Sequence, residues 1–346
     1  MTTFNSMQRV MTALGHQEAD RVPFFLLLTM HGAKELGLSI RDYFSKAEHV
    51  VEGQLRMQAR YRHDCLAGFF YAPLEVQAWG GEVVFHDDGP PNSGHPPITD
   101  IESILRLEAP TISASTCLHP VLEALRLMKE RVGDTIPIIG VVMSPFSLPV
   151  MQLGFDHYLE LLYERPDLLQ ALMRVNSDFC VSWANAQLEA GATAICYFDP
   201  VASPTIMPRE IYQATGFKVA CDTISRIKGP TATHMASGRC QGIADLLPLT
   251  GTAAVGVSAD EDLAVLKEAC RGKISLIGNL NGIAMRNWTP EVASQKVREA
   301  IQKGAPGGGF ILSDNHGEIP FQVPDEVLMA ISEAVHTHGQ YPVKVN

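Results

Sequence analysis

The chain has 346 residues, of which 46% are hydrophobic and 19% charged, with a formal net charge of −11 at pH 7. This composition supplies a large apolar core and excludes a disordered chain. The negative charge argues against binding to nucleic acid or to an anionic membrane, since both require basic patches. The longest apolar runs, such as residues 22–30, are too short to span a bilayer. Seven scattered cysteines and a polar N-terminus without a signal-peptide core predict a reduced, cytoplasmic protein.

Eight short apolar runs recur along the chain and predict eight strands. They are continuous rather than alternating, which is typical of parallel strands buried on both faces. The runs span residues 22–28, 65–71, 136–143, 194–200, 231–236, 253–258, 274–280 and 309–314.

Helical patterns separate the predicted strands. Residues 155–191 carry apolar side chains at three- and four-residue spacing, residues 289–304 open with a threonine cap, and residues 323–339 begin with proline and acids and end with glycine. Strands alternating with helices predict an α/β protein with a single (β/α)8 barrel domain over residues 1–346. A doubly wound sheet is the alternative, but no glycine-rich nucleotide fingerprint follows the first strand. Residues 72–133 are predicted to form an excursion beside the barrel, between the second and third strands.

Polar side chains stand near the ends of most predicted strands, where a (β/α)8 barrel builds its active site. Each of them has a structural alternative: His31 and Tyr71 also suit packing at the rim, and Asp260 also suits the N-cap of the next helix. Asp199 follows a fully apolar run, so its carboxylate must be paired, hydrogen-bonded or bound to a cation. The set comprises His31, Tyr71, Ser144, Asp199, His234, Asp260, Asn279, Asp314 and His316.

An ordered set of sequence blocks carries a family resemblance over nearly the whole chain. The blocks include "EVQAWGGEVVF", "CYFDPVASPTIMPREIY" and "GGGFILSDNHGEIPFQVPDE". With them the chain resembles the uroporphyrinogen decarboxylase superfamily, most closely its corrinoid-dependent methyltransferase branch. The resemblance implies a (β/α)8 barrel whose mouth binds a tetrapyrrole or the substrates of methyl transfer.

The decarboxylase activity itself is the less favoured expectation. Members with that activity have an arginine-rich segment after the first strand, which binds the carboxylates of the porphyrinogen. Here the corresponding segment "LLLTMHGAKELGLSIRDYF" contains a single arginine, Arg41. A substrate with many carboxylates needs several cations, so this segment does not match.

The resemblance also implies a zinc site with altered ligands. In the thiol-methylating members, zinc is held by a His-x-Cys pair after the fifth strand and a cysteine after the eighth. His234 stands at the histidine of that pair, position 236 is alanine, and His316 stands at the last cysteine, followed by Gly317. A catalytic zinc needs three protein ligands. The candidates for the third are Cys240, Glu318 and Asp314; in the alternative, zinc is absent and His316 is a neutral hydrogen-bonding group.

Replacing thiolates by imidazoles would leave a bound metal more positive, and therefore a better Lewis acid and a poorer activator of thiols. The resulting expectation is a donor-side methyltransferase. It would move a methyl group from a methylated small molecule, such as an aryl methyl ether, to the cobalt of a corrinoid (cobalamin) carried by a partner protein. Asp199, Asp314 or Glu318 would supply a proton or orient the donor.

The same expectation names residues that would contact the methyl donor, and it leaves several other activities as alternatives. The donor would contact His31, Tyr71, Asn279 and Asp260. The alternatives are transfer from a methyl-corrinoid protein to a thiol or pterin, decarboxylation of uroporphyrinogen, and a barrel without activity that binds a ligand. An apolar pocket wall is predicted from Phe24, Phe69, Tyr71, Met143, Phe146 and Tyr197, although the same residues also suit the core.

Overall fold

The computed structural model describes residues 4–343, and its centre is a curled parallel sheet. Seven strands form this sheet in the order β1-β4-β5-β6-β7-β8-β9, and β2 and β3 form a separate antiparallel hairpin. The strands are β1 (Leu66–Ala67), β2 (Val83–Val84), β3 (Asn92–Ser93), β4 (Ile138–Met143), β5 (Ala194–Phe198), β6 (Thr231–His234), β7 (Ala254–Gly256), β8 (Ser275–Leu280) and β9 (Phe310–Asp314).

The predicted first strand, residues 22–28, forms a single parallel bridge between Phe24 and Leu312 instead of a strand. Pro23 has no N–H to donate, and the N–H of Leu27 donates to the Asp314 carboxylate over 3.1 Å rather than to a neighbouring backbone. The segment still joins the two edges of the sheet. The Phe25 N–H donates to the carbonyl of Leu312, and Phe24 accepts from the N–H of Asp64.

Helices cover the outer face of the sheet, and within residues 4–343 no helix is long and apolar enough to cross a membrane. They are α1 (Ser6–Leu14), α2 (His31–Leu36), α3 (Ile40–Tyr43), α4 (Ala47–Tyr61), α5 (Leu74–Ala78), α6 (His119–Val132), α7 (Pro149–Leu153), α8 (Phe155–Glu164), α9 (Pro166–Glu189), α10 (Arg209–Ala214), α11 (Gly216–Arg226), α12 (Leu263–Cys270), α13 (Pro290–Gly304) and α14 (Asp325–His338).

The helix ends follow the sequence signals in most places. Thr289 caps α13 by accepting the N–H of Val292, and Pro324 precedes α14. The predicted helix over 155–191 is divided into α8 and α9 because Pro166 starts a new helix. Asp260 is not an N-cap: Asp262 caps α12 by accepting the N–H of Ala264.

The region between β1 and β4 contains α5, the β2–β3 hairpin and α6. Because β1 and β4 are parallel neighbours, α6 serves as the crossover helix between them, and it packs against α4 and α9. The segment outside the helical layer therefore ends before His119, and it is shorter than the predicted excursion over residues 72–133. Gln322 ties its loop to the rest of the protein by donating to the carbonyl of Asp88 over 2.6 Å.

Alternate residues of the central strands differ in exposure. In β5, Ile195 and Tyr197 are fully buried against the helices, whereas Ala194, Cys196 and Phe198 face the interior of the curled sheet and are partly accessible. β4 and β6 show the same alternation. The expectation that these strands are buried on both faces is wrong, because the interior is hollow.

Candidate active site

A cavity of about 770 Å³ occupies the hollow interior of the sheet. Its lining comes from the inward-facing residues of the strands, from α1 at one end, and from residues 90–94, which include β3, and the turn after β9 at the other. The second end lies at the carboxyl ends of the strands, where barrel enzymes place their chemistry. We refer to this end as the mouth. Its ionisable side chains are His234, His316 and Glu318.

His234 is the last residue of β6 and lines the mouth. Its ring stacks on Phe198, with centroids 5.6 Å apart and planes 25° apart. Gly256 leaves room for the ring, since a Cβ at that position would lie 2.9 Å from Cδ2 of His234. The N–H of Ala236 donates to Nδ1 over 3.0 Å. Burial, and then the neighbouring His316, lowers the pKa of His234 to about 4, so the ring is neutral at pH 7.

His316 lies in the turn after β9, close to His234. Its backbone N–H donates to the Asp314 carboxylate over 3.1 Å, and its Nδ1 is hydrogen-bonded to the hydroxyl of Ser237. Burial lowers the pKa of His316. Gly317 follows and packs against the ring of Phe198, where an added Cβ would lie 3.2 Å from Cζ. The turn therefore presents a second neutral imidazole to the same cavity.

Glu318 supplies a carboxyl group to the mouth. Its Oε2 is buried and has no hydrogen-bond partner among residues 4–343. Burial, and then the charge of Asp314, raises the pKa of Glu318 to about 8. A carboxyl in this state keeps its proton at neutral pH and can donate it.

Asp199 and Asp314, also predicted as catalytic, are buried and do not line the cavity. Oδ1 of Asp199 accepts hydrogen bonds from the hydroxyls of Ser144 and Ser147, each over 2.6 Å. Asp314 accepts from the backbone N–H groups of Leu27 and His316. Burial raises the pKa of both carboxyls to about 6. Both carboxylates hold loops at the mouth in place.

Two of the residues predicted to bind substrate are packed away from the cavity. His31, at the start of α2, is buried beside Phe321, and neither ring nitrogen has a partner in the described chain. Burial, and then Lys34, lowers the pKa of His31 to about 3. The Tyr71 ring packs edge-on against Phe85, and burial raises its pKa to about 12. Both match the packing alternative of the sequence analysis.

The other two predicted substrate contacts lie beside β7 and β8. Asn279 donates from Nδ2 to the carbonyl of Ser258 over 3.0 Å, which ties β8 to the loop after β7. Asp260 is exposed, and its N–H donates to the hydroxyl of Ser258. Neither residue lines the cavity.

The donors near the mouth do not fit a zinc ion. Residues 4–343 contain no group of three His, Cys, Asp or Glu side chains placed to hold a metal. Cys240 is fully buried in the core and outside the cavity lining, and burial raises the pKa of its thiol. A neutral imidazole that accepts at Nδ1 carries its proton on Nε2, so His234 offers no free lone pair at Nε2. Zinc binding by His234, His316 and Cys240 is implied by the resemblance alone, and the placement of these residues does not support it.

The wall of the cavity differs from the predicted aromatic wall. Of the six residues proposed for it, Phe69 lines the cavity and Phe24, Tyr71, Met143, Phe146 and Tyr197 do not. The lining residues that were not predicted include small ones, such as Ala232 and Ala254, and large ones, such as Phe25 and Phe198. Strand alternation could have identified Ala232, because it lies two residues before His234 and therefore on the same face.

Comparisons with known proteins show what the chain is similar to. Residues 5–338 match the family model described as uroporphyrinogen decarboxylase (URO-D). The methylcobamide:CoM methyltransferase MtbA of Methanosarcina acetivorans is 24% identical over 90% of this chain and 94% of its own length. The uroporphyrinogen decarboxylase of Methylococcus capsulatus is 26% identical over 94% of this chain and 95% of its own.

A solved structure is similar over the same extent. A methyltransferase from Methanosarcina mazei superposes with a TM-score of 0.84 at 22% identity and covers 97% of this chain and 99% of its own. This similarity supports the barrel architecture, in which the bridge at Phe24 takes the place of one strand. Since the family model spans nearly all of the sequence, the chain belongs to the uroporphyrinogen decarboxylase family.

Proposed function

We propose that this protein is a corrinoid-dependent methyltransferase. It moves a methyl group from a methylated small molecule, an aryl methyl ether, to the cobalt of a corrinoid carried by a partner protein. The observation that carries the proposal is the composition of the cavity: an apolar interior below a mouth that holds the His234 imidazole and the carboxyl of Glu318, whose buried Oε2 has no hydrogen-bond partner in the described residues. The family and its methylcobamide-dependent relatives support the reaction class.

Decarboxylation of a porphyrinogen fits the same cavity poorly. Among its lining residues, all within 4–343, there is no lysine, arginine or aspartate. Buried carboxylates without cations or other charge-assisted partners are costly. A substrate with many carboxylates would therefore be bound weakly here.

The residues at the mouth suit cleavage of a methyl–oxygen bond. As the methyl carbon passes to the cobalt, the C–O bond breaks and its electron pair remains on the oxygen. The Nε2–H of His234 can donate a hydrogen bond to that oxygen, and the Glu318 carboxyl can transfer a proton to it, giving a neutral phenol. The buried mouth strengthens both interactions. No step is assigned to zinc, because the donors do not fit it.

The reaction can be tested directly with free cob(I)alamin and a panel of methyl donors. We expect methylcobalamin to form from aryl methyl ethers. Its absorption spectrum measures the reaction. Glu318→Gln should slow the transfer by about 10²-fold, since the amide cannot deliver a proton. Glu160→Gln, on the exposed face of α8, is the matched control and should have no effect. Formation of coproporphyrinogen from uroporphyrinogen, with no methyl transfer from any donor, contradicts the proposal.

Transfer in the opposite direction is the second candidate. The names of the relatives favour it, since MtbA is a methylcobamide:CoM methyltransferase. The alanine at position 236 and the histidine at position 316 argue against it, because that activity relies on thiolate-rich zinc in the members that the chain resembles. Consumption of methylcobalamin with coenzyme M, faster than formation from any ether, would establish this direction.

A further inference from the structure

We propose that the part of the methyl donor beyond its methoxy group is uncharged and apolar, and that it extends from the mouth into the hollow interior of the sheet. This inference rests on the proposed function and adds the substrate class. The barrel interior would then serve as the specificity pocket, with its depth set by small side chains on the central strands and by α1.

A row of small side chains creates this space. Cys196 in β5 lies beside Ala232 in β6, and Ala232 lies beside Ala254 in β7, so the three face the interior at one level. In barrels of this kind, such layers are usually filled by bulky branched residues. Protein interiors rarely leave voids larger than a water molecule. The row of small residues therefore indicates a space kept for a ligand.

The cavity is deep enough for more than a methoxy group. Its lining runs along β5 from Ala194 to Phe198, which spans roughly 13 Å at about 3.3 Å per residue. Val10 and Leu14 of α1 line the far end. The volume of about 770 Å³ lies within the usual range of small-molecule sites, about 300–1,000 Å³. A methoxy group at the mouth leaves most of this volume for the rest of the donor.

The charge pattern defines the chemistry of that remainder. The ionisable acids and histidines of the lining, His234, His316 and Glu318, lie at the mouth. Toward α1 the lining consists mainly of apolar residues, including Met11, Phe25 and Pro137, together with threonines and cysteines, and within residues 4–343 it includes no cation. A carboxylate on the inner end of the donor would be buried without a partner, which is strongly unfavourable. An alkyl-substituted aryl ring would be buried favourably.

The inference can be tested with three donors that share the methoxy-aryl group: anisole, 4-propylanisole and 4-methoxybenzoate. We expect kcat/KM with 4-propylanisole to exceed that with 4-methoxybenzoate by about tenfold or more. Ala232→Leu should lower kcat/KM for 4-propylanisole by about tenfold or more, and should lower kcat/KM for anisole by a clearly smaller factor. Ala214→Leu, on the exposed end of α10, is the matched control. If Ala232→Leu does not fold, Ala254→Val replaces it in the test, because it makes a smaller change in the same row of side chains.

A binding measurement separates this inference from the proposed function. The demethylated product 4-propylphenol should raise the melting temperature of the wild type and not that of Ala232→Leu, without any corrinoid present. If methyl transfer occurs but 4-methoxybenzoate is the better donor, or if Ala232→Leu affects anisole and 4-propylanisole equally, the substrate class is wrong and the function stands. If no donor is demethylated although 4-propylphenol binds, the function is wrong and the apolar pocket stands.

Discussion

The backbone N–H of Ala236 donates a hydrogen bond to Nδ1 of His234 over 3.0 Å. Because a neutral imidazole has one donor and one acceptor nitrogen, this bond places the proton on Nε2. The resemblance implies a cysteine at the place of Ala236 in the thiol-methylating members of the family. The exchange of this cysteine for alanine thus removes a thiolate and leaves a backbone donor that orients the histidine.

The first prediction concerns metal content. We expect the purified protein to contain well below one zinc per chain by elemental analysis, and methyl transfer from anisole to be insensitive to a chelator. The reason is that a catalytic zinc needs three protein ligands, and residues 4–343 offer no such group. Stoichiometric zinc that is lost in both His234→Ala and His316→Ala would contradict this prediction and restore the ligand set implied by the resemblance.

The second prediction concerns His234 as a hydrogen-bond donor. His234→Ala should slow methyl transfer to cob(I)alamin by about 10²-fold in single-turnover assays, as expected for loss of one donor to a developing oxyanion. His234→Gln should recover part of the rate, because its amide can also donate. Since the pKa of His234 is lowered to about 4, the wild-type rate should show no His234 titration between pH 6 and 8.

The matched control for the His234 variants is His119→Ala, which removes an exposed histidine at the start of α6. This variant should be as active as the wild type. If His234→Gln and His234→Ala are equally impaired while both remain folded, hydrogen-bond donation from this position is not the function of the ring.

Sequence alone could predict the strands, because the apolar runs have the length of strands and alternate with longer helical patterns along the chain. Seven of the eight runs form strands. The remaining run, residues 22–28, is reduced to a bridge by Pro23 and by the Asp314 side chain. The site was harder to predict, because the type of a residue at a strand end does not reveal where its side chain points. Asp199 and Glu318 are both acids near strand ends, yet two serines hold the first outside the cavity lining, whereas the second lines the cavity.

No pattern in the sequence indicated the ion-pair cluster at the end of the sheet opposite the mouth. Asp64 is fully buried and accepts hydrogen bonds from Arg9 and Arg21, each over 2.7 Å, and from the N–H of Phe24 over 3.0 Å. Arginines and an aspartate far apart in sequence meet here only because the bridge at Phe24 brings the edges together.

The third prediction concerns this cluster. Asp64→Asn should lower the free energy of unfolding by about 3 kcal/mol or more, because it leaves two buried arginines without their shared carboxylate. Urea denaturation measures the change. Asp178→Asn, which removes one of the two exposed carboxylate partners of Arg226, is the control and should cost about 1 kcal/mol or less. Equal losses for the two variants would show that the Asp64 cluster does not hold the edges together.

The fourth prediction concerns Glu75, which is buried behind β4. Its Oε1 accepts the N–H of Met143 over 2.8 Å, while Oε2 has no partner in the described chain. Burial raises the pKa of Glu75 from 4.5 to about 8. Between these values the folded protein holds a proton that the unfolded chain releases, so this carboxyl makes stability fall as pH rises through that window.

Glu75→Gln keeps an acceptor for Met143 and cannot ionise, so it should remove this contribution. Relative to the variant, the wild type should lose stability between pH 5 and pH 8 with a slope approaching about 1.4 kcal/mol per pH unit. Urea denaturation of both proteins across this range measures the difference, and Glu160→Gln should follow the wild type at every pH. A constant difference between wild type and Glu75→Gln would mean that Glu75 is ionised in the folded protein throughout, with a cation or water as its partner.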